Sequence, residues 1–267
     1  MGSIEEFLIS QHTPLRLAIF FLLIIAFLLL ERVLPRLQFD KQATVNRKFI
    51  NISLLIIDII ALRVLIPLAA FDLAIWAKIH NWGLLNQIDL PLWFNIIIAI
   101  ILFDLLIYLQ HVAFHKFSFL WRIHQVHHTD IQFDVTTGVR FHPVEIVISM
   151  CYKLIAICLL GPAAISIILY EVLLNSASLF THSNLSISNK VDHFLRKVVV
   201  TPDMHRVHHS SKQLETDSNY GNLFSCWDKL FKTYISQPQA GHEGMEIGLG
   251  DNSSQDLMSL LKMPLVK

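Results

Sequence analysis

Histidines are the residues of this chain whose spacing points most directly to chemistry. The chain has 14 histidines, and eight of them fall into three clusters. The clusters are His111-x3-His115, His124-x2-His127-His128 and His205-x2-His208-His209. Residues three and four positions apart share one face of a helix, so each cluster presents two or three imidazoles to one point. Imidazole suits iron, copper, zinc and nickel rather than magnesium or calcium. Eight imidazoles are too many for one ion, and the pattern therefore predicts a site for two metal ions.

A single pair of histidines four residues apart also occurs by chance on the surface of a helix. Three clusters in one chain of 267 residues reduce that interpretation to roughly a few per cent. The clusters also lie beside long apolar runs, where unpaired polar groups are costly. The metal interpretation is therefore the stronger one.

The composition is that of a membrane protein. Hydrophobic residues make up 54% of the chain, charged residues make up 16%, and the mean hydropathy is +0.52. Soluble domains carry about 25% charged residues, so this chain is short of polar surface. The formal net charge is zero and no basic block occurs, which argues against a nucleic-acid partner. The three cysteines form no CxxC pair, so thiolate–metal chemistry is not predicted.

Five apolar runs approach the ~20 residues that a helix needs to span a bilayer. They cover approximately residues 15–34, 49–71, 91–110, 144–160 and 163–181. Glu5 and Glu6 precede the first run, so it lacks the positive start of a signal peptide and is expected to be a retained span. The second run contains Asp58 and Arg63, which predicts an internal pair or a contact with the protein interior. Alternatively, this run is broken near Pro67 and is partly interfacial.

A turn within residues 144–181 brings the three clusters to one side of the membrane. One helix over this segment would be about 57 Å long, which suits two spans that turn at Gly161-Pro162. Such a hairpin returns the chain to the side that it left. The sequence therefore predicts an all-α fold, an integral membrane bundle of about 4–5 transmembrane helices with a cytosolic helical cap that carries the histidines.

Basic residues predict the orientation of the spans. Loop 35–48 carries four of them, whereas the loop between the second and third spans has only Lys78. By the positive-inside rule, we expect the histidine clusters to face the cytoplasm and the N-terminus to lie outside. The expected location is a bacterial inner membrane or a membrane like that of the endoplasmic reticulum.

Two further residues lie near the clusters. Asp104 precedes His111 by seven residues and shares its helical face. Its carboxylate is expected to accept the second ring N–H of a ligand histidine and so fix the tautomer of that ring, with helix packing as the alternative role. His182 closes the hairpin at the level of the clusters and is a further candidate ligand.

The clusters and the motifs around them resemble the fatty acid hydroxylase superfamily, which includes sterol desaturases, alkylglycerol monooxygenases and carotenoid hydroxylases. The resemblance covers roughly residues 95–235. Besides the clusters, it rests on Arg140-Phe141-His142-Pro143-x-Glu145, Asn219-Tyr220-Gly221 and Trp227-Asp228-Lys229-Leu230-Phe231. It implies a membrane-embedded, non-haem di-iron oxygenase with its active site under a cytosolic cap.

The resemblance also implies the metal ligands. By position they are His111, His115, His124, His127, His128, His182, His205, His208 and His209. His142 is a further candidate ligand or supporting residue, although some relatives have no histidine there. Val112 stands where many relatives have an arginine, so one contact to a ligand is expected to be missing. The resemblance implies no catalytic residue beyond the metal ligands.

Two iron ions held by neutral imidazoles can bind and reduce dioxygen, and an apolar site would hold a lipid with one C–H bond near them. We expect hydroxylation or desaturation of a sterol, fatty acyl lipid, ether lipid or carotenoid. The sequence has no GxGxxG after a strand, no CxxCH and no iron–sulfur spacing, so a separate reductase, ferredoxin or cytochrome would supply electrons. The implied organisation is membrane spans over 1–90, a di-iron hydroxylase domain with its cap over 91–235, and a tail over 236–267.

Two other classes of membrane protein also use clustered histidines. A metal transporter or metal-binding protein places its sites near the bilayer midplane, often between internal repeats. Here the clusters lie at the ends of spans, and no repeat is visible. A membrane cytochrome with bis-histidine haem needs lone histidines on facing spans. Metal analysis and absorption spectroscopy of purified protein would separate these classes from the oxygenase.

Overall fold

The regular secondary structure of the protein is helical. The computed structural model describes residues 2–39, 41–66, 69–250 and 256–266, and within these residues β-bridges occur only as isolated pairs. The helices are α1 (Gly2–Val33), α2 (Lys41–Leu65), α3 (Ala70–Ile79), α4 (Leu92–Lys116), α5 (Ser118–His128), α6 (Pro143–Leu160), α7 (Ala164–Thr181), α8 (Asn189–Leu195), α9 (Pro202–His208), α10 (Gln213–Thr216), α11 (Cys226–Leu230), α12 (Gly241–Gly244) and α13 (Leu257–Lys262). The predicted all-α fold is confirmed.

Five segments of the described chain are long and apolar enough to cross a membrane, as predicted. They are Thr13–Val33, Thr44–Ile79, Leu92–Lys116, Pro143–Leu160 and Ala164–Thr181. The second segment is divided, because α2 ends at Leu65 and α3 begins at Ala70. Pro67, near which the sequence predicts the break, lies outside the described residues.

The two charged residues of the second segment do not form the expected internal pair. Asp58 is buried, with 4% of its surface exposed, whereas Arg63 is exposed. Asp58 therefore makes the predicted contact with the protein interior, and Arg63 lies on the outer surface of α2.

The helix ends that lead into the histidine region lie on one side of the bundle. At the end of α1, the carbonyl of Leu34 accepts a hydrogen bond from Ser186 N over 2.9 Å, just after α7. Near the start of α2, Arg47 forms a buried ion pair with Asp130, which follows α5, with 2.6 Å between the atoms. Buried charges are tolerated when they are paired in this way.

On the opposite side of the bundle, two glycines let two loops pack closely against each other. Gly83 and Gly161 have positive φ values of 92° and 60°, and the two backbones are in contact. A Cβ on either residue would collide with the other backbone, and the left-handed conformation itself favours glycine. This contact holds the loop before α4 against the turn between α6 and α7.

Small side chains let the spans pack closely. Ala70 and Ala74 of α3, Ala99 of α4 and Ala156 of α6 form one buried cluster with Phe103. In lipid, where apolar side chains gain little by leaving the solvent, such close backbone approach is a main source of helix association.

A cap covers the histidine end of the spans. It consists of α5, helices α8 to α12 and the loops between them. The C-terminal helix α13 packs Leu260 against Leu54 of α2 and Val126 of α5. The cap and the spans thus share one packed interior at this end of the molecule.

Candidate metal centre

Nine histidines form two groups where the cap meets the spans. One group contains His111, His115, His124, His128 and His208, and the other contains His127, His182, His205 and His209. Within each group, the candidate ligand atoms lie within 4.8 Å of one another. The structure thus brings together all nine histidines that the sequence singles out, and it divides them into two sets.

Helical geometry explains this division. His124 and His128 are four residues apart on α5 and join the first group, whereas His127 joins the second. Successive residues of a helix point roughly 100° apart, so neighbouring histidines diverge. His208 and His209 separate in the same manner at the end of α9. Each HxxHH cluster therefore contributes to both groups.

Hydrogen bonds donated by Nδ1 orient six of the rings. Backbone carbonyls accept from four of them, with Tyr220 O 2.8 Å from His111, Arg140 O 3.1 Å from His127, Ser178 O 2.7 Å from His182 and Ser218 O 2.7 Å from His208. Carboxylates face the other two, with Glu145 2.8 Å from His124 and Asp217 3.4 Å from His115. A proton held on Nδ1 leaves the Nε2 lone pair free for a metal.

The Nε2 atoms of these rings fit a pair of cations. Nε2 of His127 lies 3.1 Å from Nε2 of His182, and Nε2 of His111 lies 3.2 Å from Nε2 of His124. Since all four rings hold their protons on Nδ1, each contact opposes two lone pairs, which repel unless a cation binds both.

Other imidazole nitrogens at the site are buried without a partner. Among the described residues they are Nε2 of His115 and His208, Nδ1 of His205, and both nitrogens of His128 and His209. Unpaired buried polar atoms are costly, and a bound metal ion would satisfy one nitrogen of each ring that it binds. The donor set is all imidazole, which suits iron, copper, zinc or nickel.

Burial keeps the rings in the neutral form that binds metal. Loss of water lowers the pKa of His208 to about 3 and that of His182 to about 4. Burial, followed by the neighbouring imidazoles, also lowers the pKa values of His127, His128, His205 and His209 well below 6.5. At neutral pH no proton competes with a metal ion for these nitrogens.

A cavity of about 230 Å³ adjoins both histidine groups. Its histidine wall contains His111 and His124 of the first group and His127, His182 and His205 of the second. Its opposite walls are largely apolar and come from the spans, with Ile107 and Phe114 on α4, Ile146 on α6 and Leu174 on α7. The cavity can therefore hold an apolar chain against the candidate metal centre.

Two predicted site residues lie elsewhere. Asp104 does not accept a ring N–H from a ligand, because its Oδ2 accepts from Trp227 Nε1 over 2.8 Å and from Phe224 N over 3.1 Å. It thereby joins α4 to the cap, which is the helix-packing role. His142 belongs to neither group, since its Nδ1 caps α6 by accepting from Val144 N and its Nε2 donates to Leu261 O.

Sequence reasoning missed the groups that orient the rings. Glu145 is part of the RFHPxE motif, but its contact with His124 depends on how α5 packs against α6. Arg140 of the same motif is fully buried, and it donates to Val126 O over 2.9 Å and to Asn51 Oδ1 over 2.8 Å. These bonds hold the Arg140 carbonyl in place for His127. The RFHPxE motif is the sequence signal that could have pointed to Glu145 and Arg140 as the residues that orient these two rings.

The chain matches a known family over the residues that carry the nine histidines. The family described as fatty acid hydroxylase matches residues 96–233, which is more than half of the chain. Ornithine lipid hydroxylase OlsE of Rhizobium tropici is 25% identical over 174 residues, which cover 65% of this chain and 51% of that protein. Alkylglycerol monooxygenase of Caenorhabditis elegans is 27% identical over 169 residues, covering 61% of this chain and 32% of that protein.

Other alkylglycerol monooxygenases are similar to the same extent. The protein of Xenopus tropicalis is 28% identical over 167 residues, which cover 60% of this chain and 35% of that protein. The chain thus spans about a third to a half of the length of the curated relatives that it matches. No solved structure matches the chain significantly.

Proposed function

The chain belongs to the fatty acid hydroxylase family, and we propose that it is a membrane-bound, non-haem di-iron oxygenase of a lipid. The observation that carries this proposal is the position of the two histidine groups, which face one apolar cavity between membrane-spanning helices. A protein that only stores or transports metal has no need of an apolar cavity on the metal centre. An oxygenase of an apolar substrate requires one.

The nine histidines would hold two iron ions, one in each group. When bound, these ions would supply the activation of dioxygen. The carbonyls and carboxylates at Nδ1 would hold six of the nine rings at a fixed orientation and tautomer while electrons enter and leave the site. Their hydrogen bonds also keep protons off the Nε2 atoms.

The cavity would position the substrate. Apolar side chains of α4, α6 and α7 would hold a lipid chain and exclude water, so that one C–H bond lies beside the metal centre. Hydroxylation would consume the C–H bond, one dioxygen, two electrons and two protons, and would yield the hydroxylated lipid and water. Desaturation would consume the same co-reactants and yield a double bond and two waters.

The substrate would be a membrane lipid, and a separate reductase, ferredoxin or cytochrome would donate the electrons. The names of the relatives refer to an ornithine lipid in one case and to alkylglycerols in the other. Ornithine-containing and ether-linked lipids are therefore the first candidates for the substrate. Sterols, other fatty acyl lipids and carotenoids follow. The cap would face the cytoplasm, where electron donors are available.

Metal analysis and lipid analysis together test this function. Protein purified from iron-replete cells should contain close to two equivalents of iron per chain. Lipid extracts of a deletion strain should lack a hydroxylated or desaturated lipid that the wild-type gene restores. Folded protein with one or no metal equivalent would rule out the two-metal site. Two equivalents without any change in the lipids would favour a metal-binding protein.

A further inference from the structure

The outer face of α8 carries exposed apolar side chains on the cap. Val191, Phe194 and Val198 follow helical spacing along α8 and the turn after it, and they are 49%, 69% and 60% exposed. The inner face is polar but paired, since Asp192 and Arg196 are buried and form an ion pair over 2.6 Å. The usual arrangement, with apolar residues inward and charged residues outward, is thus reversed.

One more exposed apolar residue, Leu230, adjoins this face. The backbone N of Ser225 donates to Val198 O over 3.1 Å, and Nζ of Lys229 donates to Arg196 O over 2.5 Å. These bonds hold the start of α11 against the turn after α8. Leu230, which follows Lys229, is 65% exposed.

The contacts of α11 place this part of the cap beside a helix that is apolar enough to span a membrane. Trp227 donates to the Asp104 carboxylate, and the ring of Phe231 stacks on Tyr108 with 5.3 Å between centroids. Asp104 and Tyr108 belong to the span Leu92–Lys116 and lie before its histidines. The segment therefore lies alongside a membrane-spanning helix instead of above it.

The start of α8 is at a similar level. The carbonyl of Leu34 accepts from Ser186 N over 2.9 Å, shortly before α8 begins at Asn189. Val33 and Leu34, at the end of the first span, are 75% and 52% exposed. Apolar side chains exposed at the end of a span are covered by lipid, so the chain enters α8 at the boundary of the bilayer.

Exposed lysines lie next to this apolar face in the sequence. Lys190, Lys197 and Lys232 are exposed. The nearby acids Asp192 and Asp228 are buried, and their carboxylates are bonded within the protein. The exposed acid Glu243, which lines a pocket with Asp192, is paired with Arg36 over 3.5 Å. A lysine-rich rim around an apolar face matches the chemistry of an anionic membrane surface.

We propose that Val191, Phe194, Val198 and Leu230 insert into the acyl–headgroup boundary of the leaflet beneath the cap, and that Lys190, Lys197 and Lys232 bind anionic headgroups. The occupant of this face is thus the lipid surface itself. Gly221 and Asn222 line the cavity and lie just before α11. The contact with lipid would therefore hold the rim of the cavity at the leaflet from which an apolar substrate enters.

A fluorophore on the face tests the proposal. The full-length protein would carry Phe194→Cys in a background without the native cysteines, labelled with an environment-sensitive dye. It would be reconstituted into phosphatidylcholine vesicles with and without phosphatidylglycerol. The matched control is Leu214→Cys on α10, an apolar residue that is 85% exposed. The label at 194 should emit at shorter wavelength, be quenched by lipids brominated near the headgroup, and be quenched by iodide at least about fivefold less than the label at 214.

The lysines are tested by K190Q, K197Q and K232Q together. Each lysine near an anionic surface contributes roughly a fivefold preference, so the triple variant should lose the extra protection that phosphatidylglycerol confers. Unchanged iron content would show that the variants are folded. Equal iodide quenching at 194 and 214 in both vesicle types would overturn the proposal. So would protection that grows with the protein-to-lipid ratio, because a second copy would then cover the face.

Discussion

The carboxylate of Glu145 on α6 accepts a hydrogen bond from Nδ1 of His124 on α5, with 2.8 Å between the two atoms. Both side chains also line the cavity. One bond thus links a membrane-spanning helix, a candidate metal ligand and the proposed substrate site. A change at Glu145 should affect the metal centre although Glu145 belongs to neither histidine group.

Substitution of this carboxylate measures how strongly the orientation of His124 matters. Glu145→Ala should lower activity or metal affinity by about 10- to 100-fold, since supporting residues of metal ligands typically contribute this much. Glu145→Gln keeps an acceptor oxygen and should retain more activity than the alanine variant. Metal titration and turnover measure both effects. The control is Glu243→Gln, at a glutamate whose side chain is 86% exposed. Equal turnover and equal metal affinity in all three variants would contradict the orienting role of Glu145.

Loss of a candidate ligand should abolish oxidation while the protein still inserts. His128→Ala and His208→Ala each remove one imidazole of the first group and should lower turnover by at least about 100-fold. The spans are held by their own packing and by the bilayer, so membrane insertion should persist. The control is His80→Ala, because His80 is exposed on the opposite side and contacts the carbonyl of Trp76. Turnover by the two ligand variants equal to that of His80→Ala would refute the ligand assignment.

His142 should behave as a helix cap. His142→Ala removes the acceptor of Val144 N and should destabilise the protein by about 1 kcal/mol. His142→Asn can restore the cap, and neither variant should change the metal content. Thermal unfolding and metal analysis measure the two effects. Loss of a metal equivalent in both variants would show that His142 is a ligand after all.

Acid should destabilise the metal-free protein. His208 and His182 have pKa values of about 3 and about 4 when folded, against 6.5 when they are free in water. Below about pH 6.5 the unfolded chain binds more protons than the folded one, so stability falls as the pH falls towards 4. Above that range these two histidines contribute no pH dependence. Unfolding of the metal-free protein followed from pH 8 to pH 4 should show the loss, and flat stability over this range would contradict it.

The proposed mechanism requires one orientation. With five spans and the histidines in the cytoplasm, reporter fusions after Leu90, His142 and Lys267 should report outside, inside and inside. Opposite sides for the fusions at 142 and 267 would separate the histidine clusters and contradict the shared site. An inverted result at all three positions would place the cap outside and would require an electron donor there.

The sequence by itself determined the helical fold, five apolar segments and the nine histidines. These features are local or periodic: a span is a run of apolar residues, and ligands on one helix repeat at three and four positions. Gly161-Pro162 marks the turn between α6 and α7 in the same local manner. His182 could be singled out because the hairpin returns it to the level of the clusters.

Only the tertiary structure decided how the histidines divide and what orients them. His127 and His128 are neighbours in sequence yet belong to different groups, because helix α5 turns between them and other helices supply the remaining rings. Asp104 shares a helical face with His111, but α11 packs so that Trp227 donates a hydrogen bond to the Asp104 carboxylate. Hydrogen bonds such as that from His124 to Glu145 join distant segments, and their partners depend on the packing of whole helices, which no local spacing encodes.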